Sequence, residues 1–108
     1  MLVAQSDDKV IGFLAARRAA NEAEVVNLAV SIAARRRGVA SALLAGALEE
    51  LGHLGITDIF LEVRASNSSA VALYRKFEFS VFGCRKGYYR DPVEDALCMM
   101  RELTPPPG

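Results

Sequence analysis

One passage near the middle of the chain holds the residue types best suited to binding an anion. Arg35, Arg36 and Arg37 are followed by Gly38, Val39, Ala40 and Ser41. If a helix starts here, its first turn leaves backbone N–H groups without intrahelical acceptors. Those donors lie at the positive end of the helix dipole, where a negative charge is favoured. Gly38 has no Cβ to hold a ligand away. Ala40 is small, Ser41 adds a hydroxyl and the arginines add charge, so a diphosphate suits the passage. The residues alone leave a second reading open, a helix start with a solvated basic patch. The dinucleotide fingerprint is excluded because it needs three glycines at set spacing, and the nucleoside-triphosphate loop because no Gly-Lys-Ser/Thr follows.

The elements around this passage must position it. Met1–Ala4 and Val10–Ala16 are apolar runs separated by the polar turn Ser6–Lys9, which predicts a hairpin. Gly12 inside the second run suggests a bulge or a close backbone approach. Arg17–Glu22 is polar and small and predicts a loop; Glu24–Val30 predicts a third strand. Beyond Gly38, apolar residues at Val39, Leu43, Leu44, Ala47, Leu48 and Leu51 recur at helical spacing and define one face. That helix should end near Gly52–Gly55. Ile56–Val63 predicts a fourth strand, and its nearly continuous Ile59, Phe60 and Leu61 suggest cover on both faces. Strand, helix and strand in this order imply a parallel pair. Ser66, Asn67 and Ser68 are N-cap candidates for a second helix with the apolar face Ala70, Val71, Leu73, Tyr74 and Phe77. Phe79–Arg85 and Ala96–Leu103 predict two last strands around Asp91-Pro92. Residues 1–103 read as one domain and Thr104–Gly108 as an extended, Pro-rich tail.

Composition limits the classes of function. Thirteen basic and 13 acidic residues give zero formal net charge, against a protein whose main task is gripping nucleic acid. Two cysteines, Cys84 and Cys98, and the single His53 cannot supply the four ligands of a structural zinc. No metal site is expected, the cysteines read as core fillers and His53 as an exposed residue at a helix end. A reducing, cytoplasmic setting is the simpler expectation. No apolar run approaches the ~20 residues of a membrane helix, and no signal peptide is visible at the N-terminus.

Several further stretches stand in a fixed order around the loop. Asn27-Leu28-Ala29-Val30 precedes the pattern running from Arg35 to Ala40. After the helix come Leu61-Glu62-Val63-Arg64-Ala65-Ser66-Asn67, then Ala70 and Leu73-Tyr74. Arg85, Tyr88-Tyr89 and Glu94-Asp95-Ala96 follow near the end. Together these resemble the GNAT acetyltransferases, and closely the branch that acetylates N-terminal amino groups of ribosomal proteins. The likeness spans residues 9–103.

The resemblance implies an α/β (α+β) GNAT fold, with a mixed sheet of about six to seven strands, a parallel central pair and two helices. It implies acetyl-CoA as acetyl donor, its pyrophosphate on the backbone amides of Arg36, Arg37, Gly38, Val39, Ala40 and Ser41. Leu28, Ala29 and Val30 would hold the pantetheine arm by sheet-like hydrogen bonds, with Asn67 against the same arm. Asn67 as an N-cap is compatible with that role. Glu62 would take a proton from the amine and Tyr74 would give one to the thiolate. From the residues alone, Glu62 could pair with Arg64 or another arginine, and Tyr74 could be core packing. Tyr88 and Tyr89 read equally as groove lining or as ordinary strand aromatics.

Relative to that family, the chain lacks an N-terminal strand and two helices that form one wall of the acceptor groove. A fragment, a misassigned start or a partner chain would each account for this, and a homodimer is the expectation. The family's Tyr-x-x-x-Gly-Phe is here Tyr74 to Phe79 with Glu78 at the glycine position, which predicts strain and a remodelled helix end. The acceptor expected is the α-amino group of a protein N-terminus; a small-molecule amine, or CoA binding without catalysis, are the alternatives.

Overall fold

Apolar spacing decides which side of each element is buried, and the computed structural model, which describes residues 2–6, 9–31, 35 and 38–103, shows the outcome. The elements are β1 (Leu2–Ser6), β2 (Lys9–Ala19), β3 (Glu22–Val30), α1 (Val39–His53), β4 (Asp58–Arg64), α2 (Ser68–Lys76), β5 (Ser80–Tyr89) and β6 (Glu94–Glu102). The strands form one sheet in the order β1-β2-β3-β4-β6-β5. β3 and β4 are parallel and central, and the other neighbouring pairs are antiparallel. The mixed α/β arrangement expected from the sequence is present, with six strands among the described residues.

Both helices cover the same face of the sheet. α1 buries Leu43, Leu44, Ala47, Leu48 and Leu51, the periodic face read from the sequence, and packs on β1, β2 and β3. Gly12 explains how closely it packs. A Cβ there would stand 3.0 Å from the Ala29 carbonyl oxygen, 3.1 Å from Val39 and 3.2 Å from Leu43. α2 buries Tyr74 and sets Ala70, Val71, Leu73 and Phe77 against the same core. Asn67 caps it, its side-chain oxygen accepting from the Ala70 N–H at 3.1 Å.

β4 alternates. Ile59, Leu61 and Val63 are buried under the helices, while Phe60, Glu62 and Arg64 face the other side and stay partly exposed. Cover on both faces, expected from the apolar run, is therefore not what the described residues show. Full burial of side chains of this size stabilises by about 1.5–3 kcal/mol each, and the helix-covered face collects most of it.

Three other expectations change. Arg17, Arg18 and Ala19 continue β2 instead of forming a loop, because strand pairing carries on to Ala19↔Glu22 and Arg17 meets Glu24 across the pair at 3.2 Å. Cys84 is exposed on β5, an edge strand, and only Cys98 is buried. The end of α2 is not remodelled. Glu78 itself adopts the left-handed conformation, φ 68, at a cost of about 1–2 kcal/mol for a residue with a Cβ. The Glu78 N–H donates to the Arg75 carbonyl at 2.9 Å and the Phe79 N–H to the Tyr74 carbonyl at 3.0 Å, the paired bonds of a Schellman ending. Arg101 adds a bond to the Phe77 carbonyl at 2.8 Å and lies 3.5 Å from the Glu78 carboxylate. Arg36, Arg37 and the tail Thr104–Gly108 lie outside the described residues. Among the described residues no helix is long and apolar enough to cross a membrane.

Candidate active site

The site is opened by a pairing that stops early. β3 and β4 pair from Glu22↔Asp58 to Val25↔Leu61, yet β3 runs on to Val30 and β4 to Arg64. Val26 falls in a register shift against β2. Beyond it, Leu28, Ala29 and Val30 stay paired with Leu14, Phe13 and Gly12 of β2. Their other edge has no paired strand among the described residues. Backbone polar groups on that edge can bond an extended ligand as a strand would.

The gap between the strands is a cavity of about 930 Å³. Leu28, Ala29, Val30, Gly38, Val39, Ala40, Ser41, Glu62, Asn67 and Tyr74 all line it, and so does Tyr89. Every proposed cofactor or catalytic residue within the described part of the chain therefore faces one cleft. At its far end stands the start of α1. Ala42 N–H bonds to the Gly38 carbonyl at 3.0 Å, so Val39, Ala40 and Ser41 are the first-turn donors without intrahelical acceptors. Among the described residues no side chain caps them, and no acidic residue sits in that turn. Gly38 enters the helix with φ 76, the left-handed region that glycine adopts without a Cβ penalty. Nothing in the described chain stands within 4 Å of where its Cβ would be, so the demand for glycine visible here is conformational. Arg35 donates to the Val30 carbonyl at 3.4 Å, at the same rim. Uncapped donors, a positive dipole end and an arginine fit a diphosphate.

At the other end of the cleft are the titratable groups. Tyr74 is buried, its ring 5.7 Å from Phe79 at an edge-to-face angle. Burial, and then the neighbouring Tyr89, pushes its pKa above the ordinary 10.0, so the phenol keeps its proton at neutral pH. Tyr74 is thus part of the core and also lines the cleft. Glu62 pairs with Arg85, Nε to Oε1, at 3.3 Å, and the charge of Glu62 raises the pKa of that guanidinium. Arg64 is turned elsewhere. It donates to the Arg90 and Pro92 carbonyls at 3.3 Å, lies 3.6 Å from Glu94 and stacks 4.4 Å from the Tyr89 ring. It thereby ties the β5–β6 turn to the end of β4 and holds Tyr89 in the cleft.

A second cavity of about 600 Å³ lies on the open sheet face, with Phe60, Phe82, Arg17, Glu24 and Arg85 in its walls. Phe60 and Phe82 meet edge to face at 5.9 Å. Among the described residues, Glu62 alone lines both cavities. The residues alone offered Arg64 or another arginine as the partner of Glu62, and the structure gives that place to Arg85. The Arg85–Glu62 contact spans an intervening strand, which residue spacing does not encode.

The acetyltransferase (GNAT) family matches residues 1–79, and the chain belongs to that family. It is 36% identical over 101 residues to the ribosomal protein bS18-alanine N-acetyltransferase of Salmonella typhimurium, covering 92% of this chain and 68% of that protein. An N-alpha-acetyltransferase of Saccharolobus solfataricus is 35% identical over 114 residues, with 94% and 68% covered. The crystal structure of the ribosomal-protein-S18-alanine N-acetyltransferase from Escherichia coli overlays with a TM-score of 0.88 at 34% identity, covering 93% of this chain and 66% of that one. The chain spans about two thirds of the length of these relatives.

Proposed function

We propose that residues 1–103 act as one catalytic domain that transfers acetyl from acetyl-CoA to the α-amino group of a protein N-terminus, a ribosomal protein being the acceptor that the relatives' names favour. The observation that carries this reading is the position of Glu62 where the two cavities meet, one of them ending on the open start of α1. A transfer between two substrates needs such a junction, with a base on it.

When bound, acetyl-CoA supplies a thioester whose carbonyl carbon the amine attacks. The backbone amides of Val39, Ala40 and Ser41, with Arg36, Arg37 and Gly38 of the same loop, hold the pyrophosphate. Leu28, Ala29 and Val30 hold the arm along the free edge of β3, and Asn67 stands against it. Glu62 accepts the proton lost by the amine as the C–N bond forms. Tyr74, protonated at neutral pH, gives its proton to sulfur as the C–S bond breaks. Groups acting in this way contribute about 10²–10⁴-fold each. A carboxylate is a sufficient base because an α-amino group of pKa near 8 is already about a tenth neutral at pH 7, whereas a lysine amine is neutral well below a thousandth.

The cytoplasm is the proposed compartment, in keeping with two free thiols. Exposed Val26 and Phe82 support self-association as the cover for the open sheet face; sedimentation that finds only monomer at high concentration would end that part of the proposal. The activity is tested by incubating the protein with acetyl-CoA and peptides whose N-terminus is free or blocked, following CoA release. Turnover that needs the free α-amine is expected. Turnover on a small-molecule amine alone, or acetyl-CoA binding without turnover on any amine, overturns the reading.

A further inference from the structure

Glu62 has two carboxylate oxygens in unlike surroundings. Oε1 is held by Arg85 at 3.3 Å. Oε2 is shielded from solvent and has no hydrogen-bond partner among the described residues. The contact is indirect in the chain's topology. Glu62 is on β4 opposite Cys98 of β6, and Arg85 is on β5 opposite Ala96 of β6. The two side chains therefore reach toward each other across β6, a span of roughly 10 Å between the outer strands. Ala96 and Cys98, between them, are small and buried, and a larger side chain at either place would stand in the way. The guanidinium also lies 5.5 Å from the Tyr88 ring, within range of a cation–π attraction.

We propose that Arg85 is a positioning residue for acetyl transfer: by pairing with Oε1, it fixes the orientation of the Glu62 carboxylate where the two cavities meet. This rests on Glu62 being the base. An unheld carboxylate rotates about its last two side-chain bonds, and only a fraction of its orientations place an oxygen toward the acceptor. Arg85 meets Glu62 through Nε alone, and its guanidinium, unlike a lysine ammonium, keeps its charge at every working pH. Its side chain is largely exposed, so its loss is felt in turnover and not in folding.

The test is a cycle of Glu62→Gln, Arg85→Gln and the double variant, with Arg85→Lys and, as a neighbouring control on the same strand, Lys86→Gln. Turnover, the KM for acetyl-CoA, equilibrium binding of acetyl-CoA and the melting midpoint are read for each. Arg85→Gln should lower turnover about tenfold to a hundredfold, part of the effect of a base. Acetyl-CoA binding and the melting midpoint should stay as in the parent, with Arg85→Lys intermediate and Lys86→Gln unchanged. In the Glu62→Gln background, Arg85→Gln should do nothing more, because groups that act as a unit are not additive. If Arg85→Gln slows the Glu62→Gln variant by the same factor as the parent, Arg85 acts independently and the positioning role is wrong. Unchanged turnover in Arg85→Gln, or a fall matched by lost acetyl-CoA binding or stability, also overturns it. Normal turnover in Glu62→Gln would instead remove the base itself, a separate failure visible in its own arm of the cycle.

Discussion

β3 and β4 are neighbours along their first halves and apart along their second, and the two halves do different work. Where they pair, Ala23, Val25, Ile59 and Leu61 are buried and the strands are part of the core. Where they separate, Val26–Val30 and Glu62–Arg64 border a cleft, and backbone groups that a sheet would have used are left for a ligand. The same pair of strands thus supplies rigidity and then function, and the change falls within one residue step, from Leu61 to Glu62. The cleft begins where the pairing that holds both strands in the core ends.

Substitutions on either side of that step should separate cleanly. Glu62→Gln is expected to have the largest effect, cutting turnover about 10²–10⁴-fold while acetyl-CoA affinity and the unfolding midpoint hold; a stability loss comparable to a core variant would blur the division. One turn of the strand away, Ile59→Ala should do the reverse. It should destabilise by about 2–5 kcal/mol in urea or thermal unfolding while folded protein in the cold still binds acetyl-CoA. Gly12→Ala comes next, at about 1–3 kcal/mol from overpacking, since the added methyl meets Ala29 and Val39 together. Tyr74 joins the two halves, being core and cleft at once. Its raised pKa means that its contribution to stability is present below pH 10 and lost as pH rises through the raised value. Unfolding followed between about pH 9 and 12 should steepen in the parent and less so in Tyr74→Phe, where Tyr88 and Tyr89, also raised, still titrate. The smallest effect belongs to Glu78→Gly, which should stabilise by about 1 kcal/mol by removing left-handed strain. A loss instead would mean that the Arg101 contact outweighs the strain.

Much of this was legible in the residues because it is local. The spacing of Leu43, Leu44, Ala47, Leu48 and Leu51 marks the buried face of α1, Asn67 marks the start of α2, and Gly12 marks a close approach. The proposed anion site is equally local, a glycine and a helix start. The rest depends on partners distant in the chain. Arg17 lies in a strand because Glu24 and the β3 backbone are opposite. Phe60 looked like a two-sided core residue, and the placement of both helices on one face leaves it half open. Glu62 was open to Arg64 or another arginine, and strand order β4-β6-β5 brings it Arg85 while the β5–β6 turn takes Arg64.

Gly12 has one more consequence. Its contacts fall on Val39 and Leu43, at the beginning of α1 and not at its middle. The helix is about 22 Å long at 1.5 Å per residue, and it rests on the sheet at the end that carries the free amides. A bearing at that end sets the aim of the whole rod. The missing methyl of a single strand residue therefore sets how far the helix tip stands into the cleft, and on the proposed function a packing substitution at Gly12 is expected to weaken acetyl-CoA binding.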